Sequence, residues 1–230
     1  MNPILDFARG PLFAFCFAVL VLGLLRAGLL AAFDVLRAIR RAGDRSIPYG
    51  RLIKDTLLGL IPGRGNVLFG ATSFILHIGL VIAPIFLLDH ILLWRSGLGL
   101  AWPALPKVVA DAMTLATLAA GIVLLAYRIA SPAMRFISGT MDYLLLILVI
   151  ILFASGFIAS RPCSPIPYEV SMLLHALCGD ALLLLIPFTK LAHCLLYPIV
   201  RVGANVAWRF PPHAGEEITK ALYGKEVRKV

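Results

Sequence analysis

The chain has 230 residues, of which 60% are hydrophobic and 14% charged, with a mean hydropathy of +0.94 and a formal net charge of +9. A water-soluble core of this length does not reach such values, so a soluble enzyme is excluded and an integral membrane protein is left. The positive balance reads as basic flanks that set topology and meet anionic lipid headgroups; no nucleic-acid surface is inferred from it.

A membrane span needs roughly 20 mainly apolar residues, and five segments reach that length: 11–33, 68–94, 108–127, 143–159 and 170–200. They predict an all-α bundle of five transmembrane helices forming one membrane domain over residues 1–230. The first run could also be a signal peptide. Its length, and the lack of a basic stretch ahead of it or a small-residue cleavage site before Arg26, favour a retained span.

After it, residues 34–41 extend the first helix into a polar segment, 34–63, punctuated by Gly43, Pro48, Gly50, Pro62 and Gly63. Leu52, Ile53, Leu57 and Leu58 make part of this segment amphipathic, suited to a membrane surface or a partner. The tail, 201–230, contains Pro211 and Pro212 and then a mixed-charge run, 216–229, open to a short helix or a disordered end.

Lys and Arg collect on the cytoplasmic side of membrane proteins. Arg37, Arg40, Arg41, Arg45, Arg51, Lys54 and Arg64 lie between spans one and two, and Arg201, Arg209, Lys220, Lys225, Arg228 and Lys229 in the tail. Arg128 and Arg135 join them, whereas the opposite loops offer Arg95, Lys107 and Arg161. The N-terminus is expected outside and the C-terminus in the cytoplasm, as in a multi-pass protein of a prokaryotic inner membrane. Cys16, Cys178 and Cys194 fall within spans as small apolar filler, and Cys163 lies in an outer loop with no CxxC pair.

Four of the five histidines, His77, His90, His175 and His193, lie inside apolar stretches, where an imidazole needs a reason to be. Haem iron supplies one, because spans two and five each carry two. Span two runs from inside to outside and span five returns, so His77 pairs in depth with His193 and His90 with His175. That predicts an inner and an outer haem b, each with two imidazole ligands. The 18 residues from His175 to His193 are a whole number of turns and put both on one face of an unbroken helix. The 13 residues from His77 to His90 do not, unless Pro84 distorts the helix. Gly79 and Gly179, close to His77 and His175, fit either a flat macrocycle or ordinary helix packing through small residues.

The run Leu174-His175-Ala176-Leu177-Cys178-Gly179, followed by Pro187-Phe188-Thr189-Lys190-Leu191-Ala192-His193 and Pro198, resembles the last helix of the respiratory nitrate reductase gamma subunit. That family is a five-helix, dihaem cytochrome b that oxidises quinol. Arg64-Gly65-Asn66, leading into the second helix, is similar too. The 13-residue gap in span two is longer than the gap in that subunit. The resemblance therefore extends to the wider superfamily, with the membrane cytochromes of heterodisulfide-reductase-like and sulfite-reduction-associated complexes.

This resemblance implies electron relay between a membrane quinone, menaquinone or ubiquinone, and a cytoplasmic iron–sulfur subunit with its associated catalytic subunit. The chain would then be one component of an oxidoreductase. Arg26, Arg64, Arg135 and Lys190 at the inner level and Arg95 at the outer level are candidates for haem propionates, or are snorkelling topology residues. Tyr168 and Glu169 are candidates for an outer quinone site, with Asp89, Trp94 and Asp111 nearby. Asp180 could take protons from quinol, bond the second nitrogen of a haem ligand, or serve as a plain buried hydrogen-bond partner. Two other readings compete: a haem-free transporter using the histidines and acids as a proton or metal pathway, and a structural anchor for a soluble complex. Metal pathways gather ligands at one depth, whereas these histidines separate into two.

Overall fold

The computed structural model describes residues 2–42, 50, 53–54, 56, 67–207 and 214–224. Arg64, the Arg64-Gly65-Asn66 lead-in, Leu52, Leu57 and Leu58, and the Pro211-Pro212 pair lie outside the described residues. All regular structure in the described residues is helical, and five helices are long and apolar enough to cross a membrane: Pro3–Arg40, Val67–Phe86, Lys107–Ala130, Thr140–Ala159 and Tyr168–Phe188.

The chain divides into two compact units, one of residues 1–20 and 61–186, the other of 21–60 and 187–230. The first opens with α1 (Pro3–Phe7), capped by the Asn2 side chain, which accepts from the Ile4 N–H at 3.1 Å. Pro11 has no N–H to give, and the helix passes it in a single π-turn, Ala8–Leu12, before continuing as α2 (Phe13–Ala42).

In the same unit α3 (Val67–Phe86) packs on α5 (Lys107–Ala130), α5 on α7 (Thr140–Ala159), and α7 on α8 (Tyr168–Leu185). The short α6 (Pro132–Ile137) turns the chain between α5 and α7, while α1 and the π-turn lie against α8. Leu76 and Ala83 of α3, Ala120 and Leu124 of α5, and Leu146, Val149 and Phe153 of α7 form the core. Large apolar side chains such as Leu68, Val108 and Leu144 point outward, as lipid-facing residues do.

Gly79 settles on helix packing. A Cβ there would run into the Thr117 side chain of α5, itself buried and bonded to the Met113 carbonyl at 2.7 Å. The bare glycine lets α3 and α5 close on each other. Gly179 makes only an ordinary contact, 3.8 Å to the Leu152 methyl.

Both long histidine-bearing spans expected from the sequence are broken. Span two stops at Phe86, Leu87 takes an extended conformation (φ −71°, ψ 134°), and the chain restarts as α4 (Leu88–Leu98). The break is bridged from the following loop: the Trp102 indole N–H donates to the Ile85 carbonyl at 2.8 Å, and the Leu105 N–H to the Phe86 carbonyl at 3.0 Å. Gly99, at φ +70°, ends α4 in the left-handed conformation a glycine accepts without strain.

Span five ends its α-helix at Leu185, followed by 3-10 turns at Ile186–Phe188 and Lys190–Ala192 around an extended Thr189. Pro187 withholds a backbone donor, and the Thr189 hydroxyl takes the Leu191 N–H at 3.3 Å. The whole-turn arithmetic that put His175 and His193 on one face needs an unbroken helix, and the helix is broken between them.

In the second unit α9 (His193–Ala207) follows, with α10 (Ala214–Tyr223) after it. Within this unit the later part of α2 meets the returning chain through glycines. A Cβ on Gly23 would lie 2.5 Å from Pro187, and one on Gly203 3.1 Å from Val35.

Candidate functional site

The break at Leu87 decides where His90 goes. Seven residues of continuous helix would carry it about 10 Å along the axis beyond Ala83. Instead its Nδ1 lies 3.3 Å from the Ala83 carbonyl oxygen, which also accepts the Leu87 N–H at 3.1 Å.

His175 arrives from α8 with its Nδ1 2.9 Å from the Leu152 carbonyl oxygen of α7. The glycine that makes room for this ring is Gly156, where a Cβ would lie 2.7 Å from both Cε1 and Nδ1 of His175. Neither Gly156 nor the two carbonyls carry any signal in the sequence, since a glycine in a membrane helix is common and every residue has a carbonyl.

The two rings, brought from different helices, have centroids 6.1 Å apart and planes within 12° of parallel. A carbonyl oxygen only accepts, so each Nδ1 carries the proton and each Nε2 keeps its lone pair. Two neutral imidazoles brought together from different helices, each oriented by a backbone carbonyl behind it, are a donor set that fits one metal ion.

His77, on α3, has its Nδ1 2.7 Å from the Ser73 carbonyl oxygen. His193, in the second unit, is turned toward the Lys190 carbonyl oxygen. Each ring is again held from its Nδ1 side by a carbonyl of its own segment.

The remaining candidates divide. Arg26, Arg95 and Arg135 are exposed, and Lys190 opens the second 3-10 turn beside His193. Asp111 is engaged by Arg161 at 2.9 Å and Lys107 at 3.3 Å, and Arg161 lies over the Phe157 ring at 4.1 Å, tying the α7–α8 loop to the start of α5. Trp94 packs edge-on against Phe17, at 5.2 Å between ring centroids. Asp89 and Glu169 are exposed.

Tyr168 lines a cavity of about 420 Å³ with Arg161, Ser160, Ser164 and Ile166 at the start of α8. Asp180 does not line it: the side chain is 4% exposed, with Oδ2 lacking a hydrogen-bond partner. Since the Leu152 carbonyl occupies Nδ1 of His175, Asp180 is not the partner of that ring.

Fold and lipid-facing surface together define a multi-pass helical membrane protein. A protein of Nitratidesulfovibrio vulgaris strain Hildenborough is 31% identical to it over 175 residues, covering 69% of this chain and 76% of the relative, and the chain belongs to that protein's family. No protein-family profile and no solved structure matches it.

Proposed function

We propose that this chain is a dihaem cytochrome b subunit of a prokaryotic inner membrane, passing electrons between a quinone and a cytoplasmic iron–sulfur subunit. The observation that carries the reading is the pairing of His90 and His175 at 6.1 Å, each with Nε2 available and Nδ1 held by a carbonyl. Haem b bound there supplies one-electron redox chemistry. The chain's own part is to fix both imidazoles in the ligating tautomer, and Gly156 clears the space the His175 ring needs.

The inner pair, His77 with His193, rests on the sequence: matched depth and the resemblance of the PFTKLAH segment. An outside N-terminus rests on the basic loop and tail. The cavity beside Tyr168 lies two helical turns from His175 and has the size for a quinone headgroup.

The test is a reduced-minus-oxidised absorption spectrum of the detergent-purified chain. A b-type signal is expected, and His90→Ala and His175→Ala each remove the same half of it. A protein that stays colourless after expression with ample haem supply is a transporter or an anchor instead.

A further inference from the structure

Asp180 has no part in holding His175 and no place in the cavity beside Tyr168, yet it is among the most deeply buried polar side chains described. Twelve residues into α8, it lies roughly 18 Å from the start of that helix, near the middle of a hydrocarbon core about 30 Å thick. Five residues separate it from His175, about 8 Å along the axis and about 140° around it. It therefore lies on a different side of α8 from His175.

Among the described residues α1, the π-turn and α7 pack on α8. α1 brings Asp6 and the π-turn brings Arg9, both exposed. α7 carries Asp142 and Tyr143 at its start and no titratable side chain from Leu144 to Ala159. On α8 itself His175 and Cys178 are the nearest titratable groups. No cation among these is buried with Asp180, and its Oδ2 is unpartnered.

An unpaired carboxylate at this depth is costly, and a neutral acid much less so. Its charge state then follows the strongest nearby change in charge. Under the function proposed above, that change is at the outer histidine pair, where oxidised iron carries one more positive charge than reduced iron. In so apolar a setting such a charge is little screened across the turn and a half of helix that separates the two residues.

We propose that Asp180 is an intramembrane proton-binding site linked to the outer haem. When one electron arrives from a quinol, or from a chemical reductant, the carboxylate takes one proton from water and forms an O–H bond at Oδ2. When the electron leaves, that bond breaks and the proton is returned to water. This rests on the haem reading and assigns the site a charge-compensating role.

The experiment is infrared difference spectroscopy of the whole purified protein, reduced minus oxidised, beside a redox titration at several pH values. A protonated-carboxyl band is expected on reduction, shifted by carboxyl-¹³C aspartate in the native chain and absent in Asp180→Asn. The outer haem's reduction equilibrium shifts by up to tenfold per pH unit, about 59 mV, and this dependence flattens in Asp180→Asn but persists in Asp180→Glu. Haem present with no carboxyl band, or with an unchanged pH dependence in Asp180→Asn, overturns the proposal while leaving the cytochrome reading intact. A colourless protein fails earlier, at the absorption spectrum, and takes both with it. Isotope labelling of the native chain keeps the proposal testable if a variant does not assemble.

Discussion

At the scale of single residues, the outer pair depends on small groups that hold rings in place. Gly156 leaves room for the His175 imidazole, with 2.7 Å to a would-be Cβ. Gly156→Val should displace that ring and abolish the outer b-type signal while far-ultraviolet circular dichroism stays near that of the native chain. Equal haem content in both proteins would show that the ring moves freely. The histidines themselves were legible, because an imidazole in an apolar run stands out. Their tautomers were not, since backbone carbonyls of Leu152 and Ala83 set them and leave no mark on the residue string.

Elements tell a different story. A continuous apolar run in the sequence is not a continuous helix, as both histidine-bearing spans show. Pro84 and Pro187 mark the neighbourhoods of the breaks, but the extended residues are Leu87 and Thr189. What stabilises the first break is Trp102, 17 residues downstream of the carbonyl it bonds. Trp102→Phe keeps the ring and removes the donor, which should cost about 1 kcal/mol. It should lower both the thermal midpoint in detergent and the occupancy of the outer haem, because His90 is aimed by the same turn. A lower midpoint with full haem content would separate the break from the site. Gly79→Leu tests α3 against α5: forcing a side chain onto Thr117 should destabilise by about 1–3 kcal/mol or more, read in the same thermal assay.

For the whole molecule, five membrane-crossing helices and their lipid-facing apolar surface follow from composition and length alone, and the described structure has them. Orientation is a separate question decided by charge. Cys163 is exposed with a free thiol in the α7–α8 loop, which the basic-residue count places outside. A membrane-impermeant maleimide should label it in spheroplasts, and labelling only after lysis would invert the topology. The Arg161–Asp111 pair at that end closes the loop over α5 in a way that neither residue's position along the chain foretold.

The sequence by itself determined the solvent and the number of apolar spans, because hydrophobic length is a one-dimensional quantity. Tertiary structure alone decided which way the histidine side chains face: a broken helix resets rotational phase, and only packing sets where it restarts. That is why His90 and His175 meet and why Gly156 and not Gly179 lies against the imidazole.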